Sequence, residues 1–330
     1  RVTFSNEFGD RPLTLTRAHV ARSTGLDAID PMSDRALSFD GHASLTIAPG
    51  GSATSDELAF VTQPLTNLAL SVAFDDAPPS DVTGHPGSRT TSFLEPGDHV
   101  SAPTLPEAQQ TDHWYFASRI DVLGASAARL VVALGDSITD GRGSNHNHND
   151  RWPNLLNRRL LDNPATRHVG VLNQGIGGNH VIAGGLGPSA SARFERDVLG
   201  PLGVRWLIVF EGINDLSTRP PPAPAQLIAA YRKMIDQARS RGLKIYGGTI
   251  LPFGGAVQFT PEGEAARQAV NAWIRSAGEL DGVIDFDRIA RDPAEPTRLS
   301  PAVDGGDHLH PSAAGYEIMA GAIDLDLFRE

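Results

Sequence analysis

The strongest constraint on the fold is an unbroken apolar run that stops at glycine and polar residues. The run covers residues 130–134 and is followed directly by Gly135-Asp136-Ser137. A continuous apolar run of this length, closed by glycine, is typical of a strand buried on both faces of a parallel sheet. Open α/β sheets bind their ligands at the carboxyl ends of such strands. We therefore predict that Ser137 lies at this edge and acts as a catalytic nucleophile.

Strands and helices alternate through the rest of this half of the chain. Further apolar runs of strand type occur at residues 169–172, 206–210, 245–251 and 283–286. Apolar residues at helical spacing separate them. Asp150 and Pro153 suit the start of the first helix, and Thr260-Pro261 suits the start of a later one. Five strands alternating with helices predict a doubly wound parallel α/β domain over residues 125–330.

The first part of the chain, residues 1–124, has the pattern of a small all-β sandwich. Short runs rich in Val, Thr, Leu and Phe are separated by clusters of Gly, Pro, Asn and Asp. The predicted strands are residues 1–5, 13–16, 36–39, 43–47, 59–61, 68–74 and 114–122. Residues 75–112 are dense in Pro, Gly, Ser and Thr, which fits either a long loop or short strands. Such a domain either binds carbohydrate and shapes the substrate site, or has a packing role alone.

Composition excludes several classes of function. A net charge of −11 argues against a nucleic-acid partner, because phosphate binding needs a basic surface. No apolar run approaches the roughly 20 residues of a membrane-spanning helix. The chain has no cysteine, so disulfides and thiolate metal sites are excluded. It begins at Arg1 without an apolar leader, which is typical of a processed chain, and we expect a secreted or periplasmic protein. These features leave the oligomeric state open.

A catalytic serine needs a base, a group that orients the base, and donors for the developing oxyanion. The sequence Asp307-His308-Leu309-His310-Pro311 follows the last predicted strand and precedes the last helix. One of its histidines can accept the proton of Ser137 while Asp307 holds the other ring nitrogen. Spacing alone leaves both His308 and His310 open as the base.

Two other strand ends offer oxyanion donors. Gly177 and Gly178 lie in a glycine-rich loop after the second strand, where backbone N–H groups can approach a substrate closely. Asn214 follows the third strand, and its side-chain amide is a further donor. Asp136 and Asp215 are interpreted as structural residues that accept hydrogen bonds from loop N–H groups.

A polar loop after Ser137 contains two histidines and an aspartate, at His146, His148 and Asp150. Alternating positions on one loop do not by themselves provide a closed coordination shell. We therefore interpret the segment as a polar loop near the site. We expect no metal and no cofactor.

The motifs Gly135-Asp136-Ser137, the Gly178 loop, Gly212-x-Asn214-Asp215 and Asp307-x-x-His310 resemble the four sequence blocks of the SGNH (GDSL) hydrolase family. The resemblance covers roughly residues 129–325, and the upstream Trp114-Tyr115-Phe116 strand resembles a bacterial subgroup with an N-terminal β-domain. It implies an SGNH-type three-layer α/β sandwich after that domain. The G-x-S-x-G elbow of α/β-hydrolases is missing around the serine.

The resemblance also implies roles for individual residues. Ser137 is the nucleophile, His310 is the base because it precedes the proline of the family block, and Asp307 is the orienting acid. The backbone N–H groups of Ser137 and Gly178 and the side chain of Asn214 form the oxyanion hole.

The implied activity is a two-step hydrolysis of an ester through an acyl-enzyme. We expect a small-molecule or glycan ester as the substrate, with a short acyl group, and acetyl esters of carbohydrate are preferred because of the additional β-domain. Two alternatives remain at this stage. One is a general carboxylesterase, thioesterase or amide-cleaving enzyme with the same site, and the other is a catalytically inactive carbohydrate-binding protein.

Overall fold

The computed structural model describes residues 1–74 and 81–329. By its internal contacts the chain divides into two compact units, Arg1–Leu123 and Gly124–Glu330. Within the described residues, no helix is both long enough and apolar enough to span a membrane.

The first unit is built from antiparallel strands. They are β1 (Val2–Ser5), β2 (Leu13–Gly25), β3 (Ala28–Ile29), β4 (Arg35–Ala36), β5 (Leu45–Ile47), β6 (Ser52–Thr54), β7 (Leu68–Phe74), β8 (Gly84–Pro86), β9 (Ser92–Leu94), β10 (Gln109–Thr111), β11 (His113–Tyr115) and β12 (Ala117–Ile120). Strand β1 lies between β6 and β12 in one sheet, and the long β2 pairs with β3, β4, β5 and β7 in another. Two further pairs are β8–β11 and β9–β10.

The two main sheets of this unit share one apolar core. Along β2, Leu13 and Leu15 are buried while Thr14 between them is exposed, which is the alternation of a strand with one face covered. Phe4 of β1 belongs to the same buried cluster and packs edge-on against Phe39, with 6.0 Å between ring centroids. Each buried Leu or Phe contributes roughly 1.5–3 kcal/mol. The predicted small β-sandwich is therefore confirmed.

The strands of this unit differ in detail from the sequence prediction. Residues 59–61 form no strand, although Leu58 and Phe60 pack partly buried against the core. Val61, in contrast, is exposed, so this apolar run is buried only in part and is not paired as a strand. In the described part of the stretch 75–112, residues 81–112, three short strands occur, β8 to β10. The first residues of that stretch, 75–80, lie outside the described part of the chain.

The second unit alternates strands and helices. Its strands are β13 (Arg129–Gly135), β14 (Val169–Gly175), β15 (Val204–Phe210), β16 (Lys244–Gly248) and β17 (Gly282–Ile284). Its helices are α1 (Ser137–Asp140), α2 (Trp152–Asp162), α3 (Ala190–Phe194), α4 (Ile213–Leu216), α5 (Pro224–Ser240), α6 (Pro261–Ser276), α7 (Phe286–Ala290) and α8 (Ala313–Gly321). One turn of π-helix, Glu195–Leu199, continues α3, and a 3₁₀ turn spans Leu325–Phe328.

The five strands of the second unit form one parallel sheet in the order β14-β13-β15-β16-β17. Helix α2 packs against α8, and α5 packs against α6. The order reverses at β13, because β14 lies on one side of it and β15 on the other. The doubly wound parallel fold is thus confirmed, and its switch point, where such sheets bind ligands, lies at the carboxyl end of β13.

Helix starts in this unit follow capping chemistry, with one departure from the prediction. Thr260 caps α6 as expected, since its hydroxyl accepts a hydrogen bond from Gly263 N at 3.0 Å. Helix α2, however, begins after Arg151, which provides no side-chain cap. The carboxylate of Asp150 instead accepts bonds from the backbone and side chain of Asn145, at 3.0 and 2.7 Å. The prediction that Asp150 starts α2 is therefore wrong, because a loop donor engages its side chain.

Candidate active site

Three strand ends lie side by side beneath the candidate site. Gly135, the last residue of β13, is in register with Gly175 of β14 and with Phe210 of β15. The chain leaves the sheet directly after this row in all three strands. The segments that follow carry the predicted nucleophile and the predicted oxyanion donors, so the parallel sheet brings them to one edge.

Ser137 is the first residue of α1, directly after β13. The preceding residue, Asp136, caps this short helix by accepting a hydrogen bond from Ile138 N at 2.9 Å. Because Ser137 begins the helix, its own N–H has no intrahelical acceptor. The residue is buried, with 7% of its surface exposed.

The ring of His310 connects Ser137 to Asp307. Its Nε2 lies 2.8 Å from Ser137 Oγ, and its Nδ1 lies 2.7 Å from Asp307 Oδ2. The other oxygen of Asp307 accepts bonds from the backbone N–H groups of His310 and Leu309, at 2.8 and 3.0 Å. The three side chains therefore form one continuous series of hydrogen bonds.

The ionisation of Asp307 fixes the direction of these bonds. Partial burial acts to raise the pKa of Asp307, but hydrogen bonds from the backbone and ring of His310, together with its charge, outweigh burial and hold the pKa below the usual 3.8. An ionised carboxylate accepts hydrogen bonds only. Nδ1 of His310 therefore carries a proton, and in the neutral form of the ring Nε2 is left to accept one from the hydroxyl of Ser137.

His308, the other histidine of this segment, has a different partner. Asp304 Oδ2 lies 2.6 Å from its Nδ1, and Asp304 Oδ1 accepts its backbone N–H at 3.0 Å. His308 has a positive φ of 62°, and its ring lies against Gly255. Its side chain is about half exposed, at 45%. Of the two histidines that spacing left open, the structure thus brings His310 to Ser137 and joins His308 to Asp304.

The predicted oxyanion donors lie on adjoining segments. Gly178 has a φ of 69°, the left-handed conformation that favours glycine. Its carbonyl accepts a hydrogen bond from Leu186 N at 3.1 Å. The side-chain amide of Asn214 donates to the carbonyl of the next residue, Asn179, at 2.9 Å. Asn214 is thereby held next to Gly178. Gly177, the competing donor, lies towards Asp140.

Buried acidic side chains lie beneath the site. Asp215 accepts hydrogen bonds from Val181 N and Ile182 N, at 2.8 and 3.1 Å, and in this way holds the Gly178 loop. Burial raises the pKa of Asp215, and it raises the pKa of Asp136 to about 7. Burial also raises the pKa of Glu211, the residue directly after β15, well above its usual value. Asp215 thus bonds to loop N–H groups, as its sequence context indicates, whereas Asp136 bonds to an N–H group in the first turn of α1.

The polar loop that follows α1 lies beside the histidine segment. Gly143 packs so closely on Pro311 that a side chain there would overlap the Pro311 carbonyl. Tyr316 of α8 donates its hydroxyl to the carbonyl of Arg142 at 2.6 Å. Across the described residues, no group of three or more His, Asp or Glu side chains is arranged to hold a metal ion.

Three residues of the site were missed by sequence reasoning. They are Asn179 and Arg193, which bind each other beneath the Gly178 loop, and Asp304, which binds His308. A signal for Arg193 exists in the sequence, because an arginine followed by Asp197 four residues later stands on the apolar side of a helical segment, where Phe194 and Val198 are buried. A buried arginine requires paired acceptors.

A carboxylate, an imidazole and a hydroxyl in series at the carboxyl edge of a parallel sheet are the arrangement used by serine hydrolases. The family description that matches this chain is the GDSL-like Lipase/Acylhydrolase family, over residues 133–318. The match spans more than half of the chain, and the protein belongs to this family. The family predicted from the four motifs is therefore confirmed, and the protein is an acylhydrolase of the esterase type.

Solved structures with a similar fold include several hydrolases. A GDSL-like lipase from Bacteroides thetaiotaomicron is 21% identical, with 59% of this chain and 85% of that chain covered and a TM-score of 0.43. A carbohydrate acetylesterase from Sinorhizobium meliloti is 15% identical (59% and 95% covered, TM-score 0.45). An aryl esterase from M. smegmatis is 14% identical (59% and 96% covered, TM-score 0.47). No curated protein matches the chain.

Proposed function

We propose that this acylhydrolase is a serine esterase that cleaves short-acyl esters through an acyl-enzyme, with Ser137, His310 and Asp307 as its catalytic triad. The observation that carries the proposal is the series of two short hydrogen bonds, 2.8 Å from Ser137 Oγ to His310 Nε2 and 2.7 Å from His310 Nδ1 to Asp307 Oδ2. In this series a base contacts the nucleophile and an anion contacts the base, which are the two requirements for activating a serine.

In the first step, Ser137 Oγ attacks the ester carbonyl while Nε2 of His310 takes the hydroxyl proton. The imidazolium that forms lies against the carboxylate of Asp307, which favours its positive charge. When the tetrahedral intermediate collapses, His310 returns the proton to the leaving alcohol. In the second step His310 takes a proton from water, the hydroxide attacks the acyl-enzyme, and Ser137 recovers its proton as the acid is released.

The negative charge on the carbonyl oxygen needs donors in both steps. We assign these to the N–H groups of Ser137 and Gly178 and to the side-chain amide of Asn214. The free N–H at the start of α1, the left-handed backbone of Gly178 and the fixed amide of Asn214 support this assignment. Donors held in place before the reaction stabilise the developing charge without reorganisation.

For the substrate class we propose acetyl esters of carbohydrate. The loop after α1 supports this class, because it is polar along residues 145–150 and packs beside the His310 segment through Gly143. Asn and His side chains supply the donors and acceptors that a polyhydroxylated alcohol requires. The additional β-sandwich unit supports the same class through its predicted role in carbohydrate binding.

The test is acetate release from acetylated xylan, acetylated pectin and simple sugar acetates, with p-nitrophenyl acetate and octanoate as references. Ser137→Ala should abolish release. Ser144→Ala, a nearby buried serine whose hydroxyl binds the carbonyl of Gly141, should retain it. A fluorophosphonate should label the wild type and Ser144→Ala and leave Ser137→Ala unlabelled.

The outcomes separate the mechanism from the substrate class. Hydrolysis of p-nitrophenyl acetate alone keeps the mechanism and removes the glycan substrate. A wild-type protein that a fluorophosphonate does not label, and that hydrolyses no ester, contradicts the catalytic triad itself.

A further inference from the structure

Arg193 lies buried beneath the candidate site, and its side chain has no exposed surface. Its Nε donates to Asn179 Oδ1 at 3.1 Å. Its Nη1 donates to the carbonyl of Gln174 at 2.7 Å and to Asp197 Oδ2 at 3.2 Å. Its Nη2 donates to the carbonyl of Gly135 at 3.0 Å. One guanidinium thus reaches four acceptors on four segments of the chain.

Three of these acceptors belong to the segments that carry the proposed catalytic groups. Gly135 ends β13 just before the nucleophile, and Gln174 lies near the end of β14 just before the Gly178 loop. Asn179 follows Gly178 directly. The amide of Asn179 also donates to two carbonyls of the same loop, those of Leu186 and Pro188, both at 2.8 Å.

Asn179 carries the connection on to the other proposed donor. Its backbone carbonyl accepts the side-chain amide of Asn214 at 2.9 Å, while its side chain accepts Nε of Arg193. The guanidinium, Asn179 and Asn214 therefore form a chain of hydrogen bonds below the oxyanion donors. A displacement of the guanidinium would therefore shift the positions of both Gly178 and Asn214.

Stability alone does not account for an arginine at this position. Desolvating a guanidinium is costly, and buried ion pairs can often be replaced by apolar groups without loss of stability. Arg193 pairs with Asp197, and Glu211 Oε2 lies 3.7 Å from Nη2. What an arginine supplies, and an apolar residue or a lysine does not, is a rigid planar set of five donors.

We propose that Arg193 is a positioning residue that fixes Gly178 and Asn214 relative to Ser137. It acts through Asn179 and through the last residues of β13 and β14. The inference rests on the proposed esterase function and adds a residue that sets the geometry of its oxyanion hole. Arg193→Lys keeps the charge and loses the planar donor set. It should lower kcat roughly 10–100-fold with little change in KM, because a misplacement of about 1 Å can cost about 10²-fold in rate.

The readout that separates positioning from folding is the binding of a transition-state analogue. Ser137 Oγ adds to the carbonyl of a trifluoromethyl ketone, its proton passes to His310 Nε2, and the ketone oxygen becomes an oxyanion. In Arg193→Lys the affinity for this ketone should fall by the same factor as kcat/KM, whereas the affinity for the product carboxylic acid stays unchanged. Fluorophosphonate titration counts the competent sites in each preparation.

The matched control is Arg267→Lys. Arg267 is equally buried and is paired with Glu264 and Asp287, at 2.7 and 2.8 Å, and it also donates to the carbonyl of Ile250. This variant should keep the wild-type kcat per titrated site. If Arg193→Lys does not fold, Asn179→Ser retains the guanidinium and removes its bond to the loop, together with the bonds from the Asn179 amide to Leu186 and Pro188. It should show a loss of kcat and of ketone affinity in the same direction.

The positioning role is overturned if Arg193→Lys, or Asn179→Ser in its place, matches Arg267→Lys in kcat per titrated site. It is also overturned if kcat falls while the affinity for the ketone is kept. A failure of the proposed function gives a different result, because the wild type itself then shows neither Ser137-dependent hydrolysis nor labelling. In that case the positioning role of Arg193 is overturned as well.

Discussion

Asp304 binds His308 twice, through the backbone N–H at 3.0 Å and through the ring Nδ1 at 2.6 Å. Asp307 binds His310 by the same two types of bond, at 2.8 and 2.7 Å. Two Asp–His pairs therefore follow one another on a single segment. They differ in what the second ring nitrogen does, since Nε2 of His310 lies 2.8 Å from Ser137 Oγ.

This difference predicts opposite results for the same substitution at the two histidines. His310→Asn should lower kcat about 10²–10⁴-fold, the usual contribution of a general base. His308→Asn should keep most of kcat, and asparagine suits the site because it tolerates the left-handed backbone found there. Hydrolysis of p-nitrophenyl acetate measures both. A larger loss in the His308 variant would reverse the assignment of the base.

The side chain of Asn214 makes a second prediction. Asn214→Ala removes a proposed oxyanion donor and also the bond to the carbonyl of Asn179. Its kcat should fall about 10²–10³-fold with KM nearly unchanged, because the donor acts on a charge that develops in the transition state. Hydrolysis of p-nitrophenyl acetate, which has no glycan for the polar loop to bind, measures this loss. Asn145→Ala, which removes an exposed loop amide that binds Asp150, is the matched control on this substrate. Equal kinetics in the two variants would exclude Asn214 from the oxyanion hole.

The edge of the catalytic unit was predictable from sequence because parallel strands end together. The segments that carry Ser137, Gly178 and Asn214 each follow an apolar run, and the register of Gly135 with Gly175 and Phe210 brings these three strand ends together. The segment of Asp307 and His310 is different, because helix α7 lies between it and β17. The alternation on β2 likewise indicated a sheet with one covered face. Residues 59–61 gave a wrong prediction because a short apolar run does not require strand pairing: Phe60 packs against the core, whereas Val61 is exposed.

The support beneath the site could not be predicted in the same way. Two acceptors of Arg193 are backbone carbonyls, at Gly135 and Gln174, and a carbonyl is the same at every residue. The choice between His308 and His310 depends on a positive φ at His308 and on a bond to Asp304. Spacing in the sequence contains neither of these facts.

The carboxyl of Asp136 predicts a dependence of stability on pH. Burial raises its pKa in the folded protein to about 7, from a usual value of 3.8. Between these values the folded state binds the proton and the unfolded chain releases it, so the contribution of Asp136 to the free energy of unfolding should decrease as the pH rises through this window. The full difference corresponds to roughly 4 kcal/mol.

Asp136→Asn isolates this effect, because an asparagine oxygen can still accept Ile138 N. Urea unfolding should show the variant gaining stability over the wild type as the pH rises from about 4 to about 7, and matching it below that window. Asp324→Asn changes an exposed aspartate that caps Asp326 N in the same way, and it should follow the wild type. If Asp136→Asn is more stable than the wild type by the same free energy at every pH, the raised pKa of Asp136 is contradicted.

Gly175, at the end of β14, offers a steric test of how the nucleophile is held. A methyl group there would overlap the backbone nitrogen of Asp140, and the carbonyl carbon of Thr139 would lie 2.6 Å away. Both atoms belong to the turn of α1 that begins at Ser137. Backbone atoms cannot rotate aside as a side chain can, so α1 must move or β14 must lose its register.

Gly175→Ala should therefore destabilise the protein by about 1–3 kcal/mol, the usual cost of overpacking. Its kcat should fall about 10²-fold, because Ser137 moves with α1. Gly170→Ala on the same strand is the control. Its methyl group would meet the Cδ2 atom of Leu130 at 3.1 Å and the carbonyl oxygen of Arg129 at 4.0 Å. The second is an ordinary contact distance and the flexible side chain of Leu130 can yield, so the expected change is within about 0.5 kcal/mol. Urea unfolding and hydrolysis of p-nitrophenyl acetate measure both variants. If Gly175→Ala keeps kcat while losing stability, the close packing of β14 on α1 supports the fold and has no part in placing the nucleophile.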